Sequence, residues 1–176
     1  MLSDVYNAKI LDYAGNIQRV GRLENPDATA RAHSKLCGST VVVDLNMRDG
    51  KVTDFAHEVK ACALGQASSS IMARNIIGST GEELRALRET MIRMLKENGP
   101  PPEGKFEEFR FLEPVRDYKA RHASTLLTFD AVVDCLDQIE GKADSASAGR
   151  TAEHKEKVQA AATDALKNAG IPFRVR

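Results

Sequence analysis

The dipeptide Asp49-Gly50 separates two β-favouring runs, and no other feature limits the fold as much. Thr40-Val41-Val42-Val43-Asp44-Leu45 precedes it and Val52 to Val59 follows it. Asp-Gly accepts positive φ at both central positions of a two-residue turn, so the runs are predicted to pair as an antiparallel hairpin. Ala28 to Leu36, where small and polar residues alternate, offers a third and weaker strand. After the hairpin the period changes. Ala61 to Ile77 is poor in charge, places Ala63, Ala67, Ile71 and Arg74 at helical spacing, and stops at Gly78, which predicts a buried helix. Small residues suit its packing, which explains Ser68-Ser69-Ser70 better than nucleophilic chemistry does.

Thr80-Gly81-Glu82-Glu83 is a capping box that opens a helix with the stripe Leu84, Leu87, Met91, Met94 and Leu95, ending at Asn98-Gly99. Arg85, Arg88 and Arg93 fall on its outer side, where an acidic partner could meet them. Pro100-Pro101-Pro102 with Glu103-Gly104 reads as a stiff surface connection. Leu126, Leu127, Phe129, Val132, Val133, Leu136 and Ile139 predict a helix from about Arg121 to Ile139, and Val5, Ile10, Leu11 and Ala14 predict another at the start, capped by Ser3 or Asp4. The small, polar stretch 141-151 reads as a flexible linker between a domain over 1-140 and a helical tail over 152-176, capped by Thr151 and Gly170. The fold class is α+β, a small antiparallel sheet packed against several helices.

Charge and composition exclude several functions. The 176 residues carry 25 basic and 25 acidic side chains and no formal net charge, so the broad basic footprint of a nucleic-acid binder is missing. Aromatics are 5% and Trp is absent, which argues against a base-stacking platform. No apolar run reaches the roughly 18–20 residues needed to span a bilayer. The start lacks the basic stretch and apolar block of a secretory signal, so a cytoplasmic location is expected. Cys37, Cys62 and Cys135 are too few and too scattered for a disulfide framework.

Cys37 stands in Lys35-Leu36-Cys37-Gly38-Ser39, between two strands, where Gly38 permits a tight backbone. Cys62 stands where strand gives way to helix, expected in the first helical turn, where backbone amides, the helix dipole and Lys60 favour a thiolate. Cys135 lies on the flank of a core helix and reads as a buried thiol.

The windows around Cys37 and Cys62, with Cys62-Ala63 followed by Ala67-Ser68-Ser69-Ser70-Ile71-Met72, resemble the IscU/SufU/NifU-type iron–sulfur cluster assembly scaffolds. The resemblance runs through Tyr6-x3-Ile10, Asn25-Pro26, Leu112-x2-Val115-x2-Tyr118-x2-Arg121 and Leu127-x-Phe129-x-Ala131, over about residues 4 to 140. The long insertion after the second cysteine is closer to the SufU branch. The resemblance implies a SufE/IscU-like α+β domain with a three-stranded antiparallel sheet. It also implies a scaffold or carrier rather than an enzyme, in which three cysteines and an aspartate hold a labile [2Fe–2S] cluster or zinc. A cysteine desulfurase would supply sulfur and acceptor proteins would take the finished cluster. Cys37 and Cys62 match the first two ligands.

The other two ligands are missing. Ser39 occupies the aspartate position, and the third cysteine falls on Ser124 in one alignment and on Ala123 in another, which matches His122 to the family's histidine. Cys135 is roughly 16 Å further along a helix and cannot substitute. The expected metal or cluster ligands are therefore Cys37, Cys62 and His122, with Ser39, Ser124, His33 and His57 as lesser candidates. His33 shares strand parity with Cys37, and His57 lies on the strand before Cys62. Three readings follow: a scaffold holding a labile cluster, alone or as a homodimer giving two thiolates per chain; a zinc-binding, persulfide-accepting sulfur-transfer accessory; and a degenerate interaction or regulatory module without metal.

Overall fold

In the computed structural model the described residues are 5–168, with side chains described up to residue 145. The chain divides into two compact units, Met1–Gln138 and Ile139–Arg176. In the first unit α1 (Ala8–Gly15) is followed by β1 (Ala28–His33), β2 (Thr40–Arg48), β3 (Lys51–Lys60), α2 (Ala63–Asn75) and α3 (Gly81–Lys96). A 3₁₀ segment (Gly104–Asp117) then leads into α4 (Lys119–Asn168). The three strands form one antiparallel sheet in the order β1-β2-β3. The fold is α+β, as the sequence predicts. At the β2–β3 hairpin Asp49 (φ 53°) and Gly50 (φ 74°) take the left-handed conformations that a two-residue turn of the right twist requires.

The ends of the helices follow side-chain caps. Thr80 Oγ1 accepts from the Glu83 amide while the Glu83 carboxylate accepts from the Thr80 amide, the reciprocal box expected of that sequence. α1 begins later than the sequence reading has it: Asn7 caps it by accepting from the Ile10 amide at 3.0 Å, and Ser3 and Asp4 lie outside the described residues. The backbone over 141–151, expected as a flexible linker, is helical. Lys142, Ala143, Ala146 and Ala148 are good helix formers, enough to carry a helix across Gly141 and Gly149 at about 1 kcal/mol per glycine. The expected tail is helical to Asn168; residues 169–176, with the cap expected at Gly170, lie outside the described residues.

The core lies between the sheet and the helices. Val41, Val43 and Leu45 of β2, Leu64, Ile71 and Met72 of α2, Met91 and Met94 of α3 and Phe129 of α4 are all buried. Ser68, Ser69 and Ser70 are fully buried in α2. The Cys135 thiol is buried against the Val43 carbonyl at 3.5 Å, the inert position expected for it. Arg85 and Arg88 are not held out for an acidic partner: they pair with Asp137 (2.7 Å) and Asp130 (2.8 Å) of α4, tying α3 to that helix.

Two buried ionisable groups hold the connection between α1 and β1 against the sheet. Asp44 accepts from Arg22, from the Thr29 hydroxyl (2.6 Å) and from the Leu23 amide (3.0 Å). Burial alone would push this carboxyl up, but the Arg22, Thr29 and Leu23 hydrogen bonds and the Arg22 charge outweigh it and hold it below its ordinary value. His57 is fully buried on β3, its Nε2 2.8 Å from the Gln18 carbonyl and its ring edge-on to Phe55. Burial disfavours its imidazolium and lowers its pKa, more than the Gln18 carbonyl raises it.

Both groups bind a proton more readily in the unfolded chain, so both make stability fall as the pH is lowered. The His57 contribution is present above its ordinary 6.5 and is lost as pH drops below it; that of Asp44 is present above 3.8 and is lost at lower pH. Urea unfolding against pH should therefore show stability falling below pH 6.5 with a slope of up to about 1.4 kcal/mol per pH unit for the histidine. His57→Phe should flatten that first part of the slope and leave the part near Asp44.

Candidate functional site

The register of the sheet builds the site. His33 pairs with Thr40 and Thr40 pairs with Lys60, so all three strands finish at one edge. The loop from β1 to β2 closes there, with the Ser34 amide donating to the Ser39 carbonyl and the Gly38 amide to the Ser34 carbonyl, both at 2.9 Å. Gly38 adopts φ 71°, a left-handed turn that presents Cys37 at the loop tip beside the exposed Leu36. β3 leaves the same edge and reaches Cys62 two residues later. Cys62 is the residue before α2 rather than part of its first turn, with extended backbone (φ −64°, ψ 168°) and no side-chain capping bond. Its sulfur is left available.

Two serine hydroxyls join the thiols. Ser39 Oγ lies 3.0 Å from Cys37 Sγ and 3.4 Å from the Cys62 amide nitrogen. Ser124 Oγ lies 3.4 Å from Cys62 Sγ and donates to the Arg121 carbonyl at 3.1 Å. Cys37, Ser39, Cys62 and Ser124 thus form one continuous chain of contacts. The two positions at which the resemblance expects an aspartate and a third cysteine carry hydroxyls in this chain, and the hydroxyls touch the surviving thiols.

Cys37 is the activated thiol. Hydrogen bonds from the Ser34 hydroxyl, 3.4 Å away, then from the Ser39 hydroxyl and amide, stabilise its thiolate, and the nearby Arg121 charge adds to them. Burial opposes this only weakly, and the pKa falls to about 7. A large fraction of an exposed thiol is therefore ionised at neutral pH. The sequence points to the helix start at Cys62 for thiolate stabilisation, whereas the structure brings Ser34 and Arg121 to Cys37. Serines at both ends of the loop were the only local signal.

Gly65 explains how Ser124 reaches Cys62. A Cβ on Gly65 would stand 2.8 Å from Ala61 Cβ and 3.1 Å from the Ser124 carbonyl oxygen, so only glycine lets the backbones of α2 and α4 approach this closely.

The histidines lie elsewhere. His122 is buried, its Nε2 3.1 Å from each of the Val115 and Arg116 carbonyls, and two residues before Ser124 it faces another side of α4. His33 Nδ1 lies 3.2 Å from the Thr40 hydroxyl, and His57 is occupied by Gln18 and Phe55. None is brought into contact with a thiol. Of the two alignments, the geometry follows the one that puts the missing cysteine at Ser124.

Residues 5–123 match the NifU-like N-terminal domain family. The chain belongs to that family. It is 30% identical over 136 residues to the iron–sulfur cluster assembly scaffold protein IscU of Thermotoga maritima, covering 77% of this chain and 94% of the relative. A crystal structure of a nitrogen-fixing NifU-like protein (N-terminal) from Brucella abortus is 71% identical, with a TM-score of 0.79 and coverage of 80% of this chain and 98% of that one. A putative scaffold protein for the SUF system from Fervidobacterium islandicum shares the fold at 24% identity and a TM-score of 0.71, over 76% of this chain and 98% of that one.

Alkylation of the native protein across a pH series should show Cys37 reacting with a midpoint near pH 7 and Cys135 not reacting until the chain unfolds. Ser34→Ala should move the Cys37 midpoint upward. Gly65→Ala should cost about 1–3 kcal/mol of stability by overpacking, despite the ~1 kcal/mol that alanine gains in a helix. The same variant should speed alkylation of Cys62 by moving Ser124 off it.

Proposed function

We propose that this chain handles iron–sulfur cargo through Cys37 and Cys62, as a scaffold-type carrier in cluster assembly. The observation that carries this reading is the convergence of the two thiols at the same edge of the sheet, one of them exposed with its pKa lowered to about 7, in a chain of this family. Relatives bear the name of cluster assembly scaffold. A cysteine desulfurase as sulfur source and acceptor proteins as recipients follow from that role. Free thiols suit a reducing compartment such as the cytoplasm. No described helix is long and apolar enough to cross a membrane.

Ligand counting determines how the cargo would be held. A [2Fe–2S] cluster takes four thiolate or imidazole ligands, and a closed zinc site also takes four. One chain brings two cysteines to the site, and the described residues contain no group of three or more His, Cys, Asp and Glu side chains able to hold a metal. A single copy therefore does not fit either group as a closed site. Two copies meeting at the Cys37 loop would supply four thiolates, which favours a labile [2Fe–2S] cluster in a homodimer over zinc in a monomer.

Anaerobic reconstitution with iron and sulfide should give a coloured protein of dimeric mass carrying about one iron per chain. Cys37→Ala and Cys62→Ala should each stay colourless and monomeric. A colourless wild-type product would overturn the reading.

The activated Cys37 also favours a second reading, sulfur acceptance. The Cys37 thiolate would attack the outer sulfur of a protein persulfide, forming a new S–S bond as the donor cysteine leaves as thiolate. Incubation with a persulfide-loaded desulfurase should add one sulfur to wild type and none to Cys37→Ala. Absence of an adduct on wild type would reject it.

A further inference from the structure

The two outer strands of the sheet are covered unequally. On β3 the Gly21 amide donates to the His57 carbonyl at 2.9 Å and the His57 amide to the Arg19 carbonyl at 3.1 Å. Further along β3 the Val52 amide donates to the Ser79 carbonyl and the Gly78 amide to the Val52 carbonyl. Two loop segments thus close that side. β1 is the other outer strand. The Ser34 amide donates inward to the Ser39 carbonyl, so the antiparallel register turns the backbone groups of Ala30 and Ala32 toward β2 as well. Thr29, Arg31 and His33 therefore turn theirs outward. Gln138 closes the far end by donating to the Thr29 carbonyl at 2.8 Å. Among the described residues nothing bonds the outward amides and carbonyls of Arg31 and His33. The open stretch is the half of β1 that runs into the Cys37 loop.

An unpaired strand edge is a template for another strand, because its free amides and carbonyls repeat at the spacing a neighbour needs. Charge decides which neighbour fits. Arg31 and His33 are exposed on one face of β1, and Arg31 has no ion pair among the described residues. A second copy laid antiparallel on this edge and centred on Arg31 sets that guanidinium directly against its own counterpart. Like charges directly opposed across strands work against pairing. A strand with acidic residues at alternate positions sets a carboxylate there instead.

We propose that the open edge at Arg31 and His33 docks an extended, acidic segment of an acceptor protein, added to the sheet as a fourth strand beside the Cys37 loop. The identity of the partner as an acceptor rests on the carrier reading above. A metal-binding segment without its metal lacks fixed structure, so the cysteine-bearing stretch of an unloaded acceptor is free to extend as a strand. Main-chain bonds to Arg31 and His33 hold it, and its alternate carboxylates facing Arg31 select it. Because β1 runs straight into the Cys37 loop, a segment continuing past His33 carries its cysteine to the thiols.

The test uses the full chain without metal, under reducing conditions, and two short synthetic peptides ending in cysteine, one alternating valine with glutamate and one alternating valine with lysine. By amide exchange NMR the Arg31 and His33 amides should exchange quickly in the free chain and those of Ala30 and Ala32 slowly. The glutamate peptide should protect Arg31 and His33 saturably, and the lysine peptide should bind at least tenfold more weakly. Arg31→Pro removes an outward N–H that the β1–β2 ladder does not use, so it should keep the native spectrum and abolish protection of His33. Arg31→Glu, an exposed change that leaves the backbone alone, should reverse the preference between the peptides. Slow exchange at Arg31 and His33 in the free chain, no saturable protection, or equal affinity for both peptides would overturn the proposal. Protection that arises by self-association without peptide would overturn it too, assigning the edge to a second copy. Docking is read without iron and the carrier reading by colour on reconstitution, so the two fail separately.

Discussion

The antiparallel register at one edge of a three-stranded sheet is the constraint on which the rest depends. His33, Thr40 and Lys60 stand in line across the strands, so the loop carrying Cys37 and the segment carrying Cys62 leave the sheet together. A slip of one residue would turn Val41, Val43 and Leu45 out of the core, and those fully buried side chains hold the pairing in place. The site is thus positioned by the core rather than by local loop preferences. α2 then approaches α4 closely enough, at Gly65, for Ser124 to reach the second sulfur.

Much of this is legible in the sequence because it rests on local signals. Asp49-Gly50 announces its turn, Thr80 and Glu83 announce their cap, and the uncharged run from Ala61 announces a buried helix. The windows around the two cysteines carry the family resemblance, and residues 5–123 match that family. What the sequence hides depends on distant neighbours. The Cys37 pKa is set partly by Arg121, which comes from a helix far along the chain, and the fate of His57 is set by burial beneath the segment that follows α1. A one-dimensional reading also cannot choose between Ala123 and Ser124 as the third ligand position. That choice depends on which face of α4 meets Cys62. Composition leaves 141–151 open: its small polar residues suit a linker, and its alanines and lysine also suit a helix.

Serine in place of a carboxylate and a thiol changes what the site can do with charge. Aspartate and cysteine would each bring a negative charge to a bound cation; hydroxyls bring none, and the Ser39 hydroxyl instead steadies the Cys37 thiolate while Ser124, its own proton given to Arg121, accepts from Cys62. The chain therefore keeps nucleophilic sulfur while giving up the capacity to enclose a metal alone. The two proposed roles, cargo shared between copies and sulfur accepted on Cys37, both follow from the same electrostatic change.

The hydroxyl chain from Ser34 to Ser124 has one more consequence. Sites that collect several thiolates and carboxylates repel themselves when empty, and small domains built on them gain order only as the cation arrives. Here each sulfur already has a neutral oxygen beside it, and the last hydroxyl is anchored on the Arg121 carbonyl. The four residues satisfy one another within the chain, so the order of this corner of the fold rests on its own hydrogen bonds.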